Sequence, residues 1–76
     1  MDDWRERITL EPGKRSGKPC VRGTRITVAD ILTYLAAGEA EESLLREFRE
    51  LSREDIRAVL AYAADSERHT KLLAAE

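Results

Sequence analysis

Cysteine is nearly absent from this 76-residue chain: Cys20 stands alone, so no internal disulfide and no multi-cysteine zinc site can form. Histidine is equally scarce. His69 has no second histidine or cysteine at metal-ligand spacing and reads as a solvent-facing helical side chain, so neither a metal nor any other cofactor is expected. Aromatic residues make up 5% of the chain, with one Trp, one Phe and two Tyr. That leaves little material for base-stacking platforms, and Tyr34 and Tyr62 read as edges of the core. No apolar run approaches membrane-spanning length and no signal peptide is visible, so the expected location is the cytoplasm.

What is present is charge, 37% of the residues, with a formal net of −2. It is divided unevenly. Residues 1–27 hold seven basic residues against four acidic, and residues 28–76 hold six against eleven. The front is therefore basic and the back acidic. Within the front, Lys14, Arg15, Lys18, Arg22 and Arg25 place five positive charges in twelve residues with no acid among them.

The chain reads as one small domain over residues 8–65, preceded by a flexible segment 1–7 and followed by a helical or fraying tail 66–76. Ile8-Thr9-Leu10 has the alternation of a strand, closed by Glu11-Pro12-Gly13. Further extended pieces are expected at residues 19–22 and 24–26, with a turn or positive φ at Gly23, pairing as a hairpin or with a partner chain. Trp4 anchors either the first strand or a partner.

From Thr27 the period becomes helical. Val28, Ile31, Leu32 and Leu35 form one stripe, Thr27 and Asp30 have capping-box spacing, Ile26 and Ile31 form a hydrophobic staple, and Gly38 ends the helix. A second helix is expected from Glu41 to about Phe48, turning Leu44, Leu45 and Phe48 inward. A third follows Ser52, where Ser52 and Asp55 repeat the cap, Leu51 and Ile56 repeat the staple, and Ile56, Val59, Leu60 and Ala63 give the stripe. Leu10 and Leu60 are both counted as core residues. The fold class is mainly α, with short N-terminal β-strands and a tri-helical, helix-turn-helix-like core. A core this small, with no metal or disulfide, is expected to associate with a second chain.

Catalytic motifs fail on inspection. Residues 13–19, GKRSGKP, invite comparison with a phosphate-binding loop. Three residues rather than four separate Gly13 from Gly17, however, and Pro19 follows Lys18 where Ser or Thr is needed. No nucleophile–base pair is evident, and the many glutamates read as solvated helix faces, so neither an enzyme nor a small-molecule substrate is expected. For nucleic acid, Arg46, Arg53 and Arg57 lie among acids and make poor base readers. The five-charge segment is the better phosphate contact, with a log–log salt slope of about −4.5 per chain as its upper limit. The alternative for Arg22 and Arg25 is internal pairing with Asp30 or Asp55. On that reading Lys14, Arg15 and Lys18 are the freer cations.

The stretch GKPCVRGTRITVADILTYLAAGEAEESLL, followed by FRELSREDIRAVLAYAAD, resembles the small prokaryotic family filed as domain of unknown function 433. The shared elements are Gly17 to Ile26, Val28 to Gly38 and Leu51 to Asp65. Members often have Ser or Thr where Ala40 stands, so the second helix here lacks its expected cap, and often have proline where Arg49 stands. The resemblance implies a homeodomain-like or winged-helix-like fold and a role as the antitoxin of a toxin–antitoxin pair. It also implies a nuclease-like toxin of the PIN-domain type, encoded nearby. The expected protein is thus a homodimeric antitoxin that binds this partner and touches operator DNA through Lys14, Arg15, Lys18, Arg22, Arg25, Arg53 and Arg57. A stand-alone DNA-binding regulator and a structural dimerisation module are the alternatives.

Overall fold

A computed structural model describes the backbone of residues 3–74 and the side chains through Arg68; the His69 side chain lies outside the described residues. The strand-forming alternation at the front yields two short strands, β1 (Ile8–Thr9) and β2 (Cys20–Val21). They pair antiparallel, with Ile8 opposite Val21 and Thr9 opposite Cys20. Three helices follow: α1 (Val28–Ala36), α2 (Glu41–Glu47) and α3 (Arg53–Ala74). The mainly helical chain with a short N-terminal ribbon agrees with the pattern read from sequence.

Residues 24–26 do not form a third strand. The chain turns so tightly after Val21 that only one bridge forms, between Cys20 and Thr27. Thr24 is buried and shapes the turn: its hydroxyl donates to the Val21 carbonyl at 2.9 Å and accepts from the Ile26 amide at 3.0 Å. Gly23 has the positive φ expected of it, +79°.

Both capping boxes form. The Asp30 amide donates to the Thr27 hydroxyl at 2.9 Å, and the Thr27 amide donates to the Asp30 carboxylate at 3.1 Å. Ser52 and Asp55 repeat the exchange at 3.2 and 3.0 Å. The staple residues Ile26, Ile31, Leu51 and Ile56 all lie in one buried cluster with Ile8, Val21, Val28, Leu44, Ala58 and Val59. At Gly38 the chain leaves α1 in a Schellman closure. The Glu39 amide donates to the Tyr34 carbonyl and the Gly38 amide to Leu35, with Gly38 at φ +91° where a side chain would be strained. Ala40, in the extended conformation of an N-cap, offers α2 no side-chain bond.

Two expected core residues are not in the core. Leu10 is 58% exposed because the ribbon ends at Thr9 and the chain turns outward, and Leu60 is 46% exposed because it sits on the outer edge of the α3 stripe. Residues 4–6, expected to be flexible, form a 3-10 turn packed on α3. There Trp4 meets Tyr62 edge to face at 4.8 Å and donates its indole N–H to Asp65 at 2.5 Å. Trp4 therefore fastens the front of the chain to the long helix. No helix among the described residues is long and apolar enough to cross a membrane.

Candidate functional site

The basic segment is shaped by the loop that joins β1 to β2. Its turn at Glu11-Pro12-Gly13 leads into an unusual run in which Gly13, Arg15, Ser16 and Gly17 all have positive φ, at +86°, +49°, +60° and +79°. For Arg15 and Ser16 this left-handed geometry costs on the order of 1 kcal/mol each. Tertiary bonds hold it in place. The Arg15 guanidinium donates to the Arg25 carbonyl at 2.6 Å and to the Asp30 carboxylate at 3.4 Å, and Lys14 pairs with Glu11 at 3.4 Å. The loop is thereby fastened to the N-terminus of α1.

Asp30 records this convergence. Partial burial, the largest influence, raises its pKa, but the Thr27 amide, the Thr27 hydroxyl and the Arg15 guanidinium together hold it below its ordinary value of 3.8. On α3, Asp65 is also lowered, first by the Trp4 indole N–H and next by its hydrogen bond to Arg68.

The structure redistributes the seven cations expected at a contact surface. Arg22 lies against the 3-10 turn, donating from Nε to the Glu6 carbonyl at 2.8 Å and from its terminal nitrogen to the Arg5 carbonyl at 3.3 Å. Among the described residues it pairs with no carboxylate. Asp30 is taken by Arg15, and Asp55 by Arg7 at 3.1 Å, so internal pairing exists but uses different arginines from those expected. The reason is placement: β1 lies along α3 and carries Arg7 to Asp55, while the left-handed loop carries Arg15 to α1. Lys14 and Arg15 are accordingly not the free cations of the loop. Arg53 is held by Glu41 and Glu42 across the α2–α3 joint. Among the described residues, Lys18, Arg25 and Arg57 have exposed side chains without a hydrogen bond or ion pair. Lys18 and Arg25 belong to the front, whereas Arg57 stands apart on α3.

A second surface lies on the helical back, which the charge count already marked as acidic. Glu39, Glu42, Glu47, Glu50 and Glu54 are exposed on α2 and the segments that flank it, a stretch in which Leu45 and Phe48 are half-buried. An open hollow of about 560 Å³ lies here, lined by Leu45, Arg46 and Arg49. A smaller one of about 400 Å³ lies under the basic loop, lined by Leu10, Pro12, Gly13, Ser16 and Gly17. The signal for the acidic surface was in the composition of residues 39–54, where six glutamates face three arginines. Among the described residues no group of three or more His, Cys, Asp or Glu is arranged to hold a metal.

The class defined by these features is a small three-helix domain with an N-terminal two-stranded ribbon, a basic left-handed loop and an acidic second helix. Residues 8–63 match the family model described as "Protein of unknown function (DUF433)", and the chain belongs to that family. It is 41% identical over 59 residues to the uncharacterized protein y4eO of Sinorhizobium fredii. The match covers 78% of this chain but 27% of that relative, so the chain spans about a quarter of the relative's length. A crystal structure of a DUF433 member protein from Anabaena variabilis superposes with a TM-score of 0.76 at 28% identity, covering 91% of this chain and 68% of the other.

Proposed function

We propose that this chain is an antitoxin-type module that forms a homodimer and neutralises a basic, PIN-like nuclease partner through its acidic α2 surface. The observation that carries this reading is the exposed glutamate set at residues 39, 42, 47, 50 and 54, in the same stretch as half-buried Leu45 and Phe48. The hollow beside Leu45 sits in a stretch of net negative charge, six glutamates against Arg46, Arg49 and Arg53, which suits a protein partner of the opposite net charge; such complementarity raises the association rate and rejects wrong partners. A nuclease that handles RNA presents such a basic surface. Co-expression with the product of the adjacent reading frame should give a stable complex with suppressed ribonuclease activity. Glu47→Lys with Glu50→Lys should weaken that complex by about tenfold or more with the fold intact. A neighbour that is not retained, or binding indifferent to this charge reversal, would overturn the assignment.

Operator binding is a secondary role of the same protein, carried by Lys18 and Arg25. With Lys14, Arg15 and Arg22 engaged inside the chain, two phosphate contacts per chain remain on the basic front. The log–log salt slope should therefore be about −1.8 per chain instead of about −4.5. Titration of promoter DNA at several salt concentrations measures it, and Lys18→Ala should reduce the slope by about 0.9. A slope that the substitution leaves unchanged removes Lys18 from the DNA contact. A stand-alone DNA-binding regulator is the reading that gains if DNA is held tightly and no partner is.

A further inference from the structure

The outer face of α3 carries an unpartnered seam. Ile56 and Val59 are buried on the inner side, and Tyr62 and Ala63 are half-buried, while Arg57, Leu60, Ala61, Ala64 and Glu67 are exposed. Leu60 is one of only two large apolar residues classed as exposed among the described residues, and it lies at the centre of this seam. The side chains of Arg57 and Glu67 have no hydrogen bond or ion pair among the described residues, whereas Arg53, one turn before Arg57, is held by Glu41 and Glu42. Positions 57, 60, 64 and 67 follow the 3-4-3 spacing of a helix–helix seam.

These four residues are symmetric in a way that matters only to an antiparallel pair. Their numbers are equidistant from position 62, so a two-fold axis beside that position sets Leu60 against Ala64 of a second copy, and Arg57 against its Glu67. Each contact then occurs twice. Small Ala61 and Ala64 let the helices approach closely enough for Leu60 to pack.

We infer that the outer face of α3 is the homodimer interface, formed by antiparallel self-pairing in the register that joins Arg57 to Glu67 of the partner copy. This deepens the dimer of the reading above and rests on it. A seam of about 15 Å between Arg57 and Glu67 is short against a standard interface, so the dimer is weak, with a dissociation constant on the order of 10 µM.

Sedimentation equilibrium of the full chain tests the assignment, with circular dichroism as the control for folding, since every substituted residue is exposed. Leu60→Glu should weaken self-association at least about tenfold. Arg57→Glu alone and Glu67→Arg alone should each weaken it by about fivefold or more, because each reversal places like charges together at two symmetric points. The double variant Arg57→Glu/Glu67→Arg should return to within about twofold of the original, the recovery that a charge swap across one register requires. A chain that stays monomeric up to millimolar concentration overturns the dimer itself. A dimer that persists in all three single variants overturns this interface alone and points to the free edge of β1 beside Leu10. Capture of the nuclease-like partner is scored separately, through the α2 glutamates.

Discussion

Two aspartates tie the starts of helices to the front of the chain. Asp30 and Asp55 each occupy the third position of a helix, close a capping box, and receive an arginine from the N-terminal part of the chain. Asp55 is the more buried of the two, and its loss would strip the cap of α3 and leave Arg7 facing an emptied site. Asp55→Ala should therefore cost about 2–3 kcal/mol, read by chemical denaturation. In a domain of this size that lowers the melting temperature by roughly 10–20 °C. Asp30 is more exposed, so Asp30→Ala should cost only about 1 kcal/mol at pH 7. Its folded pKa lies below the ordinary 3.8, so the stabilisation is complete above that value and is lost as pH falls through the folded pKa. Denaturation curves of parent and Asp30→Ala should differ by a constant amount from pH 7 to about pH 5 and converge below about pH 4. A gap that widened in acid would show that Asp30 is not the stabilising carboxylate.

The helices differ in how well their ends are finished, and that difference is measurable. α1 and α3 begin with complete capping boxes, and α1 ends in a Schellman closure at Gly38. α2 is preceded by Ala40, whose φ of −77° and ψ of 158° already match an N-cap but whose methyl group accepts nothing. Ala40→Ser should supply the missing bond and stabilise the domain by about 0.5–1 kcal/mol, seen as a higher denaturation midpoint with unchanged slope. Gly38→Ala should act in the opposite direction, by about 1 kcal/mol. Nothing lies within 4 Å of a Cβ placed there, so the cost is the left-handed backbone and not a clash. These features were legible in the sequence because each is confined to six residues or fewer, short enough for spacing alone to fix geometry. The Leu10 and Leu60 positions were not legible. Periodicity identifies a stripe, but it does not say where the covering elements stop.

At the scale of the whole molecule, the contacts that could not be read are those joining distant parts of the chain. Arg7 to Asp55 spans 48 residues, and Trp4 to Asp65 spans 61. Charge counting located the basic segment, yet only the fold shows that Arg15 and Arg22 are spent inside it while Lys18 and Arg25 stay outward. The Trp4 contact also sets how far α3 is supported. This helix is 22 residues long, about 33 Å, whereas it gives the buried cluster only Ile56, Ala58 and Val59, with Tyr62 packed against the edge. Beyond those residues, the ring contact with Tyr62 and the indole bond to Asp65 fasten its next turns to the front of the chain. An unsupported helical extension is marginal in water, so removing that fastening should loosen the helix from its C-terminal side. Trp4→Ala should accordingly raise amide hydrogen exchange across residues 62–74 while residues 53–60, held by the cap and the core, keep most of their protection. Trp4→Phe retains the ring and loses only the N–H donor, and should produce a smaller increase confined to the turn around Asp65. Uniform deprotection of α3 in Trp4→Ala would instead mean that Trp4 supports the whole core. Unchanged exchange would mean that the second half of α3 stands without it.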